Sequence, residues 1–227
     1  MSNKKRRKRK RLKIKSVLIF LFILLLLGGS IYGLTYIKVR SFYVYNNNYL
    51  TDEEVLEELK LNNKSSFLLT LTPIEKTIIK KSKFIEDVEI HKTLDLELKV
   101  DVKEYKMLFY DSRNAKTVIE NGEKIDYLDN NIPVLINEIT DKDVYNTFVK
   151  KMNKVNNNSL QMISEITYSP NGIDKDRFLF SMNDGNYVYV TSTKISKINE
   201  YKSIINSVEN KKGILYLDYG NYFVPKE

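Results

Sequence analysis

The chain has 227 residues, 42% of them hydrophobic and 11% aromatic, with no cysteine; this composition can bury a core and excludes both a disordered chain and a disulfide-stapled scaffold. Its formal charge is +8, but ten lysines and arginines, with no acid among them, lie in the first 15 residues, so everything after them carries −2. A body of that balance lacks the basic stripe that tracks phosphate, which excludes a nucleic-acid-binding fold.

Residues 16–37 are uncharged between Lys15 and Lys38. As a helix rising about 1.5 Å per residue they span roughly 33 Å, enough for a hydrocarbon core of about 30 Å. The charge asymmetry predicts residues 1–15 as a cytoplasmic tail, 16–37 as a transmembrane helix in the lipid bilayer, and the body outside. Tyr32 and Tyr36 suit the outer interface. Gly29 and Gly33 have a spacing that either admits a second helix or means nothing more than loose packing. A cleaved signal peptide is the rival reading, with an apolar region over 17–27 and small residues at Gly28 and Ser30. The absence of A-x-A and the uncharged run to Ile37 favour a retained anchor.

The body reads as two modules, 38–105 and 106–224, with 225–227 as a short C-terminal end. In the first, SFYVYNNNYLTDEEVLEELKL gives a strand at Phe42, Val44 and Tyr45 and a turn at 46–48. Thr51 with Glu54 forms a capping box opening a helix through Leu59. Thr72, Pro73 and Glu75 read as N-cap, N1 and N3 of a second helix buried through Ile74, Ile78 and Ile79. Val88 and Ile90 belong to the next strand. Leu94, Leu96, Leu98, Val100 and Val102 alternate with charged residues and predict a half-buried strand, completing an α+β unit in the order strand, helix, helix, strand, strand.

The second module is richer in strand signals. Asn121-Gly122 and Asp184-Gly185 sit between strand-like runs and supply the positive φ angles of tight hairpins. Helices are expected within 141–155 and over about 193–208, the latter carrying Ile195, Ile198, Ile205 and Val208. The asparagine tract at 156–160 reads as a loop. After a stop at Gly213 comes one last strand, ILYLDYGNYFV. The expectation is a mixed, mainly antiparallel β domain with two helices.

Chemistry is hard to find. A thiol nucleophile is impossible, and any zinc site or Ser-His-Asp arrangement would rest on His91, which reads as a solvated strand-end residue. Asp95, Glu97 and Asp101 alternate with Lys99 and Lys103 as on a solvated sheet face. Asn183-Asp184-Gly185 lacks the other acids of a calcium loop, and no phosphate-cradling glycine motif occurs. No catalytic, cofactor-binding or metal-ligating residue stands out, although a carboxylate pair acting in a cell-wall hydrolase stays open as the alternative. Tyr216, Tyr219, Tyr222 and Phe223 crowd the chain end, as either a core edge or a contact surface.

The basic tail, single anchor, strand-helix-helix-strand-strand unit and β domain together resemble the FtsQ/DivIB family of bacterial cell-division proteins. The first module, with LTDEEVLEEL after an Asn-containing turn, is similar to that family's POTRA domain. NGEKIDYLDNNIPVL, RFLFSMNDGNYVYVTSTKISKINEYKSIINSV and KKGILYLDYGNYFVP are similar to its Gram-positive DivIB branch. One departure is His91-Lys92-Thr93 where relatives often carry proline. The resemblance implies a single-pass protein of the division septum, N-terminus cytoplasmic and C-terminus extracellular, acting without catalysis or cofactor. It further implies a scaffold joining FtsL-like and DivIC/FtsB-like bitopic partners and helping regulate the septal peptidoglycan synthase complex. The partner contact expected from it is strand addition along 214–223, through Ile214, Tyr216, Leu217, Asp218, Tyr219, Tyr222 and Phe223.

Overall fold

The computed structural model describes residues 14–226, so the expected basic tail lies, up to residue 13, outside the described residues. The chain divides into two compact units, Met1–Lys103 and Glu104–Glu227.

In the first unit, α1 (Ile14–Leu34) is long and apolar enough to cross a membrane. β1 (Ser41–Tyr45) follows, then α2 (Asp52–Glu58), α3 (Thr72–Ile79), β2 (Ile85–Lys92) and β3 (Glu97–Glu104). This is the expected strand, helix, helix, strand, strand order behind a single apolar helix. Thr51 and Glu54 close a reciprocal capping box, Oγ1 accepting the Glu54 N–H at 3.3 Å and Oε2 accepting the Thr51 N–H at 2.8 Å. The two helices lead from β1 to β2, and β3, which follows β2, pairs in parallel with β1, with Ser41 opposite Glu97 and Val44 opposite Val100. A parallel return needs such a crossover. The sheet order is β1-β3-β2, and its core gathers Val55, Leu59, Ile85, Val88, Leu98, Val100 and Val102.

Two expectations here need correction. Thr72 is not an N-cap: Leu71 holds that position with no side-chain cap bond. The Thr72 hydroxyl instead accepts the Ile90 N–H at 2.9 Å, fastening α3 to β2. The predicted long strand also begins three residues later, because Leu94 and Leu96 lie in the turn between β2 and β3. Leu96 takes φ 61, which breaks the two-residue period, and only Leu98, Val100 and Val102 reach the core.

The second unit runs β4 (Met107–Asp111), β5 (Lys116–Ile119), β6 (Lys124–Ile125), β7 (Val134–Leu135), α4 (Lys142–Met152), α5 (Asn157–Leu160), β8 (Ile163–Tyr168), β9 (Arg177–Met182) and β10 (Tyr187–Thr191). A 3-10 helix, Ser192–Glu200, then leads into α6 (Tyr201–Ser207), β11 (Gly213–Tyr216) and β12 (Tyr222–Pro225). The nine strands form one sheet ordered β12-β11-β10-β9-β8-β7-β4-β5-β6. Five of its eight pairings are antiparallel, and β4–β7, β7–β8 and β10–β11 are parallel. α4 is capped by Asp141, whose carboxylate accepts from Asp143 and Val144, and it carries Phe148 and Met152 into the core. There Phe148 stacks on Phe178 at 4.4 Å.

Gly122 and Gly185 take φ 85 and 86 at the two expected hairpins. Their neighbours contribute through side chains rather than through positive φ: Asn121 Oδ1 accepts from the Glu123 N–H and Asp184 Oδ1 from the Asn186 N–H, as Asx turns do. The asparagine tract is not a loop but the short α5, with Asn156 Oδ1 accepting the Ser159 N–H. The helix expected over about 193–208 begins as 3-10, which accommodates buried Ile195 and Ile198 three residues apart. Its exit uses Glu209 and Asn210, each at φ 56, rather than Gly213.

One buried acid breaks the apolar stripe predicted for α3. Glu75 and Ile79 face inward while Ile74 is exposed, and Glu75 Oε2 has no hydrogen-bond partner. Burial pushes the Glu75 carboxyl above the ordinary glutamate range. A carboxyl raised on folding binds more protons folded than unfolded, so its full contribution is present below the unfolded pKa and is lost as pH rises through the folded one. Glu75→Gln should therefore be more stable than wild type at neutral pH, with the gap closing as pH falls into the carboxyl range. Urea midpoints of the protein measured across that range check this.

Candidate partner-binding edge

The last two strands are placed by a polar cluster centred on the buried Asn186 and Tyr201. Asn186, in the turn entering β10, accepts the Gly213 N–H on Oδ1 at 2.7 Å. Its Nδ2 donates to Asp184 Oδ2 at 3.0 Å and to the Tyr201 hydroxyl at 2.9 Å. The Tyr201 hydroxyl in turn donates to the Asp184 carboxylate at 2.8 Å. Burial, and then the hydrogen bond with Asp184, raise the Tyr201 pKa far above the ordinary tyrosine value, so it remains a proton donor. The cluster thus ties the β9–β10 turn and the start of α6 to the first residue of β11.

From there β11 runs parallel to β10, with Tyr189 opposite Tyr216, and β12 folds back antiparallel, with Tyr216 opposite Tyr222. The single strand expected over 214–223 is therefore two strands joined through 217–221. Gly220-Asn221 was the turn signal in the sequence. β11 is internal, and β12 ends the sheet. Lys226 donates its N–H to the Lys212 carbonyl at 2.8 Å. Antiparallel alternation continued along this register turns the backbone groups of Tyr222 and Val224 toward β11 and those of Phe223 outward.

The expected contact residues separate into two faces. Leu217 is buried, and Phe223 packs against the core. Asp218 is also buried, with Oδ2 accepting from Arg177 Nε at 2.8 Å. Breaking such a pair typically costs about 3–5 kcal/mol, which gives Asp218 a structural role. Ile214 and Tyr216 are half-buried, whereas Tyr219 and Tyr222 are 54% and 49% exposed. On the open face a row crosses four strands. The Arg177 guanidinium lies 3.6 Å from the Tyr189 ring centre, Tyr189 stacks on Tyr216 at 5.4 Å, and Tyr216 stacks on Tyr222 at 4.8 Å. The sequence reading missed Arg177, Tyr189 and Asn186. The alternation in NYVYV put Tyr187 and Tyr189 on one face, but only the register shows what they meet.

The acids do not assemble for hydrolysis at a polar cleft of about 360 Å³, lined by Asp111, Arg113, Lys124, Glu138 and Tyr145 among others. Asp111 pairs with Lys124 at 3.1 Å and Glu138 with Arg113 at 3.6 Å. Burial alone would raise the Asp111 pKa, but hydrogen bonds from Asn114 and Lys124 outweigh it and hold the carboxyl below the usual range. That is the wrong direction for a general acid.

Gly213 sets the distance between β11 and β12. A Cβ there would collide with the Val224 carbonyl oxygen and lie 2.7 Å from the Phe223 ring and 2.9 Å from Pro225 Cα. Gly213→Ala should lift β12 off while leaving β8, β9 and β10 intact. Hydrogen exchange would read this as lost protection in residues 222–226 against unchanged protection in 177–191.

A model of the FtsQ-type POTRA domain matches residues 37–105. The cell division protein DivIB of Bacillus subtilis (strain 168) is 30% identical over 199 residues, covering 82% of this chain and 73% of that protein. DivIB of Bacillus anthracis is 28% identical over 191 residues, covering 81% and 72%. Among solved structures, the major extracytoplasmic domain of the trans isomer of DivIB from Geobacillus stearothermophilus aligns with 48% of this chain and 97% of its own, at 24% identity and a TM-score of 0.39. At this identity and coverage, the chain belongs to the DivIB family of cell division proteins.

Proposed function

We propose that this division protein is a non-catalytic scaffold, held by α1 with its N-terminus in the cytoplasm and both units outside the cell at the division septum. There it joins FtsL-like and DivIC/FtsB-like bitopic partners and helps regulate the septal peptidoglycan synthase complex. The observation that carries the reading is β12, a sheet-terminal strand whose open face ends the Arg177-Tyr189-Tyr216-Tyr222 row at an exposed ring. A partner strand laid on β12 would use the outward Phe223 backbone groups and extend that row with its own side chain. Ile214, Tyr216, Tyr219 and Tyr222 support it from this side, while Leu217, Asp218 and Phe223 brace the hairpin from within. The neutralised acids of the polar cleft favour binding over hydrolysis.

Proline separates backbone pairing from side-chain contact, since it deletes an N–H that no side chain replaces. Phe223→Ala removes the ring only, and Phe223→Pro removes the ring and the outward N–H. The proline variant should bind the DivIC/FtsB-like ectodomain more weakly than the alanine variant by about 1–3 kcal/mol, the cost of an unpaired acceptor. Val224→Pro should instead unseat β12 itself, because that N–H faces Ile214. Titration calorimetry beside circular dichroism measures both, and equal affinities for the two Phe223 variants would reject strand addition here.

Orientation is tested in the same cysteine-free chain. Cysteine at Asn158, which is exposed, should react with a membrane-impermeant thiol reagent on intact cells, and cysteine at Ser2 should not. The reverse pattern would reject the assignment.

A further inference from the structure

The first unit exposes leucines at one end, and hydrogen bonds show which end it is. Ser66 Oγ donates to the Leu34 carbonyl at 2.7 Å, and the Phe67 N–H donates to the Ile37 carbonyl at 2.8 Å, so the loop before α3 is fastened to the end of α1 and the residues just after it. The Arg40 N–H donates to the Leu96 carbonyl at 2.9 Å, continuing the β1–β3 register backward. Residues before Glu97 therefore lie level with those before Ser41, and the β2–β3 turn at 93–96 projects toward the anchor. The loop and the turn are also joined to each other. Lys92 Nζ donates to the Leu68 carbonyl at 3.0 Å, and Thr72 Oγ1 accepts the Ile90 N–H at 2.9 Å.

At this end Leu94 is 102% exposed, Leu71 45%, Leu96 39% and Leu69 38%. Single exposed leucines are ordinary on protein surfaces. Four on two adjacent loops, beside the point where the chain leaves an apolar helix of spanning length, form a patch with a direction. Lys38, Arg40, Lys64 and Lys92 are exposed around them, with Asp95 the acid within the turn.

We propose that this end of the first unit is a membrane-docking surface, with Leu94 and its neighbours seated in the outer interface of the bilayer that holds α1 and the surrounding cations on anionic lipid headgroups. Apolar side chains gain by leaving water for the acyl boundary. Lysine and arginine lay their stems on that boundary while their charges meet the headgroups. The bilayer is the occupant because the same short segment, 34–40, carries both the end of the anchor and the hydrogen bonds to both loops. Docking would hold the first unit at a fixed height and orientation on the membrane rather than on a free tether.

The chain contains no tryptophan, so one placed by substitution reports alone. The full-length protein is reconstituted in phosphatidylethanolamine–phosphatidylglycerol vesicles, with and without lipid brominated near the top of its acyl chains. Leu94→Trp and Leu71→Trp should show blue-shifted emission, loss of intensity with the brominated lipid, and protection from aqueous iodide. Asn48→Trp, in the turn at the other end of β1, should emit as in water and be quenched by iodide. Ile23→Trp, within α1, separates this proposal from the reading of the anchor. If Ile23→Trp is quenched by brominated lipid while Leu94→Trp behaves like Asn48→Trp, the docking surface is overturned and the anchor stands. If Ile23→Trp is not quenched, the spanning reading falls and docking with it. Circular dichroism matching wild type establishes that each variant is folded.

Discussion

The buried amide of Asn186 holds together the part of the second unit on which its surface depends. A buried carboxamide must satisfy its oxygen and both of its hydrogens or lose about 1–3 kcal/mol for each group left unpaired. Asn186 does this by taking one N–H from Gly213 and giving its own to Asp184 and Tyr201. Three distant pieces of sequence, the β9–β10 turn, the start of α6 and the start of β11, thereby share one point. β11 lies beside β10 because its first residue is caught there, and β12 has a strand to pair with because β11 does. The Arg177–Asp218 pair secures the other end of the same hairpin, so its two ends are held by independent buried polar contacts.

Both units use helices to make parallel pairings. β1 and β3 are separated by α2, α3 and β2, and β10 and β11 by the 3-10 helix and α6. In the first unit the consequence is that β1, emerging directly from the anchor, pairs with a strand whose preceding turn points back toward that anchor. In the second, the chain end is delivered to the outer side of the sheet, where an antiparallel return makes β12 the last strand. An edge strand of four residues containing Pro225 is a guarded edge, short and with one donor missing. A strand laid on it would find few backbone bonds, so on the proposed reading discrimination would fall to the aromatic row beside it.

The charged groups support the same division of labour. Three acids of the second unit are engaged in holding structure: Asp218 with Arg177, Asp111 with Lys124 and Asn114, and Asp184 with Tyr201 and Asn186. The described surface also presents stacked rings at the last strands and exposed leucines in the first unit. On the two proposals made above, one chain would carry two different contact surfaces, one at the base of its POTRA unit and one at the last strand of its β domain.

Local signals carried a large share of this in the sequence. The uncharged segment, the capping box at Thr51 and Glu54, the glycines of two hairpins and the 98–102 alternation are short-range patterns, set by backbone sterics, capping and side-chain periodicity. They hold in the structure because nothing distant opposes them. Where the reading failed outside the asparagine tract and the helix exit at 209–210, contacts beyond the local pattern had decided. Thr72 looks like a cap until Ile90 brings its N–H within reach, and Leu94 and Leu96 continue an alternation until the chain turns from β2 into β3 there. The tyrosines near the C-terminus were visible as a cluster, but the Gly-Asn pair within them was passed over and the segment read as one strand. Yet which ring is open and which residue is buried depends on the pairing of β10, β11 and β12. By itself the sequence determined the anchor, the two-module order and the family resemblance, because composition and local periodicity encode them. Tertiary structure alone decided which strand forms the edge, that Asp218 belongs to Arg177, and that the exposed leucines gather beside the anchor, because register and burial come from contacts between residues far apart in the chain.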